Sequence, residues 1–386
     1  MKRLIEMAAL CIAVCVSGPV FAGNDYVWNT DTGNWTTPAN WDLNYLYPGC
    51  SLGDTATIAD ADSDVTVNTD IPKKVKWVWL TAAVLDTYVM LDVAHDLTIG
   101  GPGTNYLRCT AGDRDAGDDA YCLVSGGTFD IDGEVELNGS SAADAIAEME
   151  VSSGATVTPD SFDLNGGNSS SRTAGLDFNE SVTVQSSGTD DTFDTIAEGY
   201  TWIDIITSET FDAREMMVDA SAGYAEIHQK TGTGTVQANE LRISAGDTAG
   251  WNGFYWLEAG ILDVNGEVEL NALNDANTTA EMQVDPSTTF TPNSFDLNGG
   301  TTENRVAILD FNESVTVQGV SGTDTSFAGY CDVELAPDVD FQGKEVYLEA
   351  GSDVLVSHTA EGGGTLSYTM LTVDNATLRV SNASVE

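Results

Sequence analysis

The sequence predicts an all-β protein, a right-handed parallel β-helix (β-solenoid) of about ten rungs of about 26 residues, and three observations predict it. Gly, Thr, Ser, Asn and Val are abundant, and this composition favours strands over helices. A block of 133 residues occurs twice in tandem. Within each block, short strand-like segments return about every 26 residues, as expected for a solenoid.

The charge of the chain excludes one class of partner. Asp and Glu number 61 against 14 Lys and Arg, which gives a formal net charge of −47. Nucleic-acid binding needs clustered cations that replace the counterions of phosphate groups, so we expect no nucleic acid among the partners. The hydrophobic fraction of 42% likewise excludes an acidic disordered tail.

Residues 1–22 have the pattern of an export signal. Lys2 and Arg3 precede an apolar run over 7–16, and the small-residue pattern at 20–22 is typical of a cleavage site. We therefore expect a secreted protein, or one displayed at the cell surface. No later segment is apolar enough to cross a bilayer, so no membrane span is expected after signal cleavage.

Two tandem copies of the long repeat lie at about 127–259 and 260–386. Three segments recur at one offset of 133 residues: 133–138 as 266–271, 161–167 as 294–300, and 176–185 as 309–318. The match continues more weakly at an offset of 130, where it pairs His228 with His358. This duplication indicates that a single architecture, the parallel β-helix, extends over 61–386.

Each rung is predicted to contain three short strands, for example 225–229, 235–238 and 241–244. A two-residue polar step precedes the third strand, and its second residue sets the period: Glu134, Asp160, Glu215, Glu240, Glu267, Asn293 and Glu345. Alternation along a strand sends Leu241 and Ile243 inward, and stacking of rungs at ~4.8 Å joins these side chains into one core. Two β-sandwich domains would explain the long repeat but not the short one.

Residues 23–60 are expected to cap the N-terminal end of the stack, because native proteins cover exposed strand edges. Tryptophans and turn residues mark this segment: Trp28, Gly33, Asn34, Trp35, Asn40, Trp41, Pro48, Gly53 and Asp54. The run resembles the start of secreted bacterial right-handed β-helix proteins, which include pectate-lyase-like folds and autotransporter-type passengers. The resemblance implies fold and secretion but no activity, since that superfamily mixes enzymes with spacers and adhesins.

The residues favour a structural or adhesive module without catalysis, although they do not decide whether the protein is an enzyme. Hydrolases of the resembled family carry His-Gly and Arg-x-Lys signatures, whereas Asp96, Gln229 and Thr359 follow the three histidines here. The lyases of that family use an Arg or Lys base. In this chain Arg172 and Arg305 occupy the same position of the two copies, so neither is a unique candidate for that base. The alternative is a polysaccharide lyase or glycoside hydrolase on a β-helix scaffold.

An acidic insertion carries the candidate metal site. Asp113, Asp115 and Asp119 occupy the first, third and seventh places of a calcium loop, but Gly117 and Val124 stand at the fifth and twelfth. Solvated acidic turns are the alternative interpretation. The sequence therefore establishes no cofactor, and Ca²⁺ is the one candidate that it offers.

Four cysteines follow the signal: Cys50, Cys109, Cys122 and Cys331. Export permits disulfides, and Cys109 and Cys122 flank the acidic insertion, so they form the predicted pair. Alternatively, all four are small buried apolar residues. Cys331 matches Thr201 of the first copy, which indicates that the fold does not require this thiol.

Loops that follow the third strands are expected to build one face, where Asp247, Trp251 and Asn252 form the predicted ligand site. Trp251 would stack on a sugar ring, which makes an extracellular polysaccharide or a cell-envelope component the expected partner. The alternative is that Trp251 only packs beside Tyr255. Residues 378–386 continue a rung-like pattern, so we expect a fragment of a longer protein, or end-to-end self-association.

Overall fold

Parallel strands stacked as a β-solenoid form the whole described architecture. The computed structural model describes residues 23–51, 53–59, 63–71, 74–82, 88–101, 104–111, 119–139, 145–170, 172–180, 182–185, 195–206, 210–230, 234–246, 248–272, 277–302, 304–318, 325–343, 345–349, 351–358, 365–381 and 384–385. The solenoid has about 11 turns at a spacing of roughly 27 residues. The predicted all-β solenoid of about ten rungs is thus confirmed. The chain divides into two compact units, residues 1–162 and 163–386.

Three sheets contain the described strands. Sheet 1 has 16 strands: Asp25–Val27, Thr55–Ile58, Trp77–Thr81, Leu97–Ile99, Tyr106–Thr110, Thr128–Asn138, Thr156–Asn165, Val182–Thr183, Thr195–Glu198, Thr210–Asp219, Thr235–Ser244, Ile261–Asn271, Thr289–Asn298, Thr325–Ala328, Glu345–Leu348 and Met370–Val373. Sheet 2 has 14: Thr32–Asn34, Ser63–Val67, Tyr88–Val93, Asp119–Val124, Ala145–Val151, Arg172–Phe178, Thr201–Ile205, Ala225–Gln229, Gly253–Leu257, Thr278–Val284, Arg305–Phe311, Tyr330–Leu335, Asp353–His358 and Thr377–Ser381. Sheet 3 has four: Val315–Thr316, Asp340–Gln342, Thr365–Ser367 and Ser384–Val385. Two 3-10 turns lie at Pro38–Asn40 and Ala220–Ala222.

The core consists of columns of inward-facing side chains, one residue from each turn. Leu241 pairs in register with Val268, and Val268 pairs with Phe295. All three are buried, while Arg242 and Glu269 beside them are partly exposed. Full burial of one such apolar side chain contributes roughly 1.5–3 kcal/mol, so the stacking of turns provides the stability that a single turn lacks.

In turns such as that of Thr235–Ser244 the predicted second and third strands are one long strand, whereas Asp340–Gln342 and Glu345–Leu348 stay separate. Thr235–Ser244 covers both predicted segments, and the register to the next turn shifts between Ala238 and Leu241. The polar step stays extended and bends the strand as a bulge instead of forming a turn. Glu215 pairs with Glu240 as predicted, whereas Glu267 pairs with Ser294, one residue beyond the predicted Asn293.

The tryptophan-rich N-terminal segment forms a buried cluster. Trp28 and Trp35 each pack edge-on against Trp41 with ring centroids 5.0 Å apart. Trp41 Nε1 donates to the carbonyl of Trp35 at 2.8 Å, and Trp35 Nε1 donates to the carbonyl of Pro48 at 2.9 Å. Sheet pairing already begins here, because Asp25–Val27 pairs in parallel with the strand that starts at Thr55.

The register of sheet 2 supports the duplication and refines it. Thr201 pairs with Ala174 and Cys331 pairs with Ala307, so the predicted equivalence of Thr201 and Cys331 holds. The predicted match of His228 with His358 does not hold in the structure. His228 pairs with Asp204, but His358 pairs with Leu335, which places His358 at the backbone position of Gln229. A one-residue slip in a strand exchanges its two faces, so these histidines are not equivalent.

Candidate functional site

An open groove on the outer face of sheet 2 is the candidate site, and it lies within the second compact unit. Its volume is about 380 Å³. We call it the aromatic groove, and its lining residues are Thr173, Tyr200, Thr201, Trp202, Asp204, Tyr224, Glu226 and Lys230. These residues come from neighbouring turns, since Trp202 pairs in register with Gly175 on one side and with Glu226 on the other. Alternation turns Thr201, Ile203 and Ile227 inward and leaves Trp202, Asp204 and Glu226 on the outer face.

Trp202 lies flat across the neighbouring turn because that turn presents a glycine. A Cβ atom on Gly175 would lie 2.1 Å from Cε2 and Cζ2 of the indole. The indole Nε1 donates to the carboxylate of Asp177 at 3.2 Å. Gly175 therefore provides the space for the ring, and Asp177 fixes its orientation.

Carboxylates line the groove beside the rings. The Lys230 ammonium pairs with Asp204. The Tyr224 hydroxyl donates to Glu226 Oε2 at 2.9 Å. Burial raises the pKa of Tyr224, and the negative charges of Glu226 and Glu281 raise it further.

A second aromatic pair continues the same face on the next turns. The rings of His228 and Trp256 stack with centroids 4.3 Å apart and planes 4° apart. His228 Nε2 lies 2.9 Å from Glu258 Oε2, and its Nδ1 lies 3.7 Å from Glu226 Oε1. Flat rings flanked by hydrogen-bond acceptors can stack on the apolar face of a sugar while the carboxylates accept its hydroxyl protons.

The predicted ligand residues lie next to the groove but do not line it. Asn252 Oδ1 accepts the backbone N–H of Thr279 at 2.9 Å, so this amide holds the following turn. Trp251 is half-buried and closes its own loop, where its carbonyl accepts the Gly246 N–H at 2.8 Å. Asp247 lies outside the described residues. Tyr224 and Asn252 nevertheless share one column, because Ala225 pairs with Gly253 directly after them.

The predicted calcium site is only partly described. Asp113 and Asp115 lie outside the described residues. Asp119 begins a strand of sheet 2, and its Oδ1 accepts the Ile146 N–H at 3.2 Å. Within the ranges given above, no three His, Cys, Asp or Glu side chains form a group that could hold a metal ion. Calcium binding stays a prediction.

The cysteines are buried thiols. Cys50, Cys109, Cys122 and Cys331 are all free in the structure. Cys109 stacks between Leu80 and Leu137, and burial raises its pKa and that of Cys122. The predicted Cys109–Cys122 disulfide is not formed in this structure and stays a prediction for the oxidised protein.

A cluster of carboxylates lies on sheet 2 in the second copy. Asp310 pairs in register with Glu334 on the next turn. Glu281 lies on the turn before Asp310, where it pairs in register with Ile308. Burial raises the pKa of Glu281 to about 7 and that of Asp310 to about 6, and the charge of Glu334 adds to both shifts. These carboxyl groups therefore retain protons at a pH where exposed carboxyls are ionised.

Comparison with known proteins assigns no family to the chain. Neither a family model, nor a curated protein, nor a solved structure matches it. In the described ranges, no helix is long and apolar enough to cross a membrane. The groove's own geometry is therefore the basis for inferring a function.

Proposed function

We propose that this protein is a secreted or surface-displayed β-solenoid that acts as a structural and adhesive module without catalysis. Its partner is an extracellular polysaccharide or another glycan of the cell envelope, bound at the aromatic groove. The observation that carries the proposal is the partly exposed Trp202 ring, packed over Gly175 in a groove that Tyr200 and Tyr224 also line. Export follows from the pattern of residues 1–22.

The geometry suits a sugar chain better than a compact ligand. The groove is open to solvent and not an enclosed cavity, so it can admit part of a longer polymer. Trp202, Tyr200 and Tyr224 offer ring faces, while Asp204 and Glu226 offer acceptors to hydroxyl groups. A repeating scaffold with one binding face is a common way to present such extended surfaces.

Removal of the indole tests the proposal. Trp202→Ala should reduce retention on an immobilised polysaccharide panel by about tenfold or more, because it removes the central stacking surface. Trp202→Phe should retain part of the binding, since it keeps a ring face and loses only the bond to Asp177. The thermal midpoint of both variants should stay within a few degrees of that of the parent protein. A loss of 1 kcal/mol in the free energy of unfolding lowers the midpoint by about 2–4 °C.

Two matched variants show whether the effect is specific. Trp77 stacks on Tyr106 on the outer face of sheet 1, so Trp77→Ala removes an equally large ring elsewhere and should leave retention unchanged. Trp251→Ala tests the loop predicted from the sequence. Loss of retention in Trp251→Ala with full retention in Trp202→Ala would move the site to that loop and contradict the groove.

The alternative function, polysaccharide cleavage on the same scaffold, is favoured by one observation. Glu281 and Asp310 have pKa values raised to about 7 and about 6, so one carboxyl can hold a proton beside an ionised neighbour. Release of reducing or unsaturated sugars from the same polysaccharide panel, abolished by Glu281→Gln, would establish this function. We expect no release.

A further inference from the structure

We infer that the aromatic groove selects glycans that carry free, protonated amino groups, such as polymers of unacetylated amino sugars. This inference rests on the proposed function, because it names the class of glycan that the same groove binds. Three features carry it: the charges that line the groove, the ring faces beside those charges, and the charge of the whole chain.

Negative charge exceeds positive charge at the groove. Asp204 and Glu226 line it, and Asp177 accepts the indole N–H of Trp202 at 3.2 Å. Lys230 is the lining cation, and its ammonium already pairs with Asp204. Glu226 is not the partner of that lysine: its carboxylate accepts the Tyr224 hydroxyl at 2.9 Å, and its Oε1 lies 3.7 Å from Nδ1 of His228.

Ring faces add a second attraction for a cation. Tyr200, Trp202 and Tyr224 line the groove together, and the face of an aromatic ring attracts an ammonium group within about 6 Å. The hydroxyl of Tyr224 is fixed on Glu226, so the ring and the carboxylate are held beside each other. An amino group placed between them contacts both.

The charge of the chain works in the same direction. A formal net charge of −47 repels anionic polysaccharides and attracts cationic ones at long range. Neutral glycans gain nothing from this field. The field alone attracts any polycation, so selectivity has to come from the groove residues, and the experiment must separate the two contributions.

Calorimetric titration with three oligosaccharides of equal length tests the inference. The probes are a β-1,4-linked glucosamine hexamer, its fully N-acetylated form and a neutral glucose hexamer. At about pH 6, where amines are protonated, the glucosamine hexamer should bind about tenfold more tightly than the other two. Raising the salt from about 50 mM to about 500 mM should reduce this preference, since it screens the charges.

Two carboxylate variants separate the groove from the general surface. Glu226→Gln should lower the affinity for the glucosamine hexamer to that for the N-acetylated hexamer and leave the latter unchanged. Glu334→Gln, which removes one charge from the same sheet in the second copy, should change neither. An equal loss in both variants would show general attraction to the acidic surface and overturn the inference.

The remaining outcomes distinguish this inference from the proposed function. Equal affinity for all three hexamers overturns selection of amines and leaves glycan binding intact. Failure of all three hexamers and of the polysaccharide panel overturns both. Trp202→Ala should weaken every hexamer that binds, because stacking does not depend on the amino group.

Discussion

The strands Thr201–Ile205 and Tyr330–Leu335 occupy the same place in the two copies of the repeat, but their outward side chains differ. Trp202 in the first copy corresponds to Asp332 in the second, and the glycine beneath it, Gly175, corresponds to Ile308. Inward residues and turn positions remain similar, so the backbone is the same. The solenoid therefore does not require the aromatic groove, because the strand Tyr330–Leu335 builds the same backbone without its central tryptophan.

The partners of the carboxylates differ in the same way. In the first copy Asp177 accepts the Trp202 indole N–H, and Asp204 pairs with Lys230. Both copies pair two acidic residues in register here, Asp177 with Asp204 and the corresponding Asp310 with Glu334, but in the second copy burial and the charge of Glu334 raise the pKa of Asp310 to about 6. Outward columns are free to diverge because they do not build the core, and in this protein one copy diverged toward a groove and the other toward crowded carboxylates.

The largest effect is expected where the two copies are the same. A Cβ atom on Gly166 would lie 2.0 Å from the carbonyl oxygen of Tyr200, and one on Gly299 would lie 1.7 Å from that of Tyr330. Backbone atoms cannot yield as flexible side chains do, so Gly166→Ala and Gly299→Ala should each lower the free energy of unfolding by about 3 kcal/mol or more. Chemical denaturation of both variants measures this loss.

A turn glycine with open space around an added Cβ atom provides the control for that prediction. Gly154 has a φ of +89° and nothing within 4 Å of an added Cβ, and Ser287 takes this left-handed position in the second copy with a φ of 70°. Gly154→Ser should therefore cost only about 1 kcal/mol. A cost equal to that of Gly166→Ala would mean that backbone conformation, not close approach, fixes these glycines.

The next effect concerns the groove, where one substitution makes the first copy resemble the second. Gly175→Ile places a side chain where the Trp202 ring lies, so the ring has to leave the sheet surface and its bond to Asp177. Retention on polysaccharide should fall about tenfold, and the tryptophan fluorescence should shift to the red as the indole meets water. Ile308→Gly in the second copy should leave retention unchanged. Full retention in Gly175→Ile would show that the flat position of the ring is not needed.

The smallest effect is a dependence of stability on pH that originates in the second copy. The pKa of Glu281 is raised to about 7 in the folded protein, so between about pH 4 and pH 7 the folded state binds more protons than the unfolded chain. The free energy of unfolding therefore falls as the pH rises through this range. Glu281→Gln should raise stability at pH 8 by about 1 kcal/mol after discounting for solvent screening, and should change little at pH 4.

Its matched control is Glu148→Gln, at the corresponding position of the first copy. The first copy has Trp202 where the second has Asp332, so this variant should alter the pH slope less than Glu281→Gln does. Denaturant titrations at pH 4, 6 and 8 compare the two slopes. Equal slopes in all three proteins would contradict the crowding of carboxylates in the second copy.

The amino-acid sequence by itself determined the solenoid, its approximate period and its duplication. These features are written in local alternation and in repeated segments such as 266–271, and each turn obeys the same pattern. The bulge at Asn239 and Glu240 could not be predicted, because a polar pair between two strands is equally typical of a turn.

Only the tertiary structure decided where the candidate site lies. The sequence directed attention to Trp251, since it stands in a loop, whereas Trp202 stands within an ordinary alternating strand. The groove joins Tyr200, Trp202 and Tyr224 across turns that are about one period apart in the chain, and only the register brings them side by side. The substitution of Trp202 by Asp332 between the copies was the available signal. Its meaning required the space above Gly175 that the Trp202 ring fills, which is a property of the neighbouring turn and not of the strand itself.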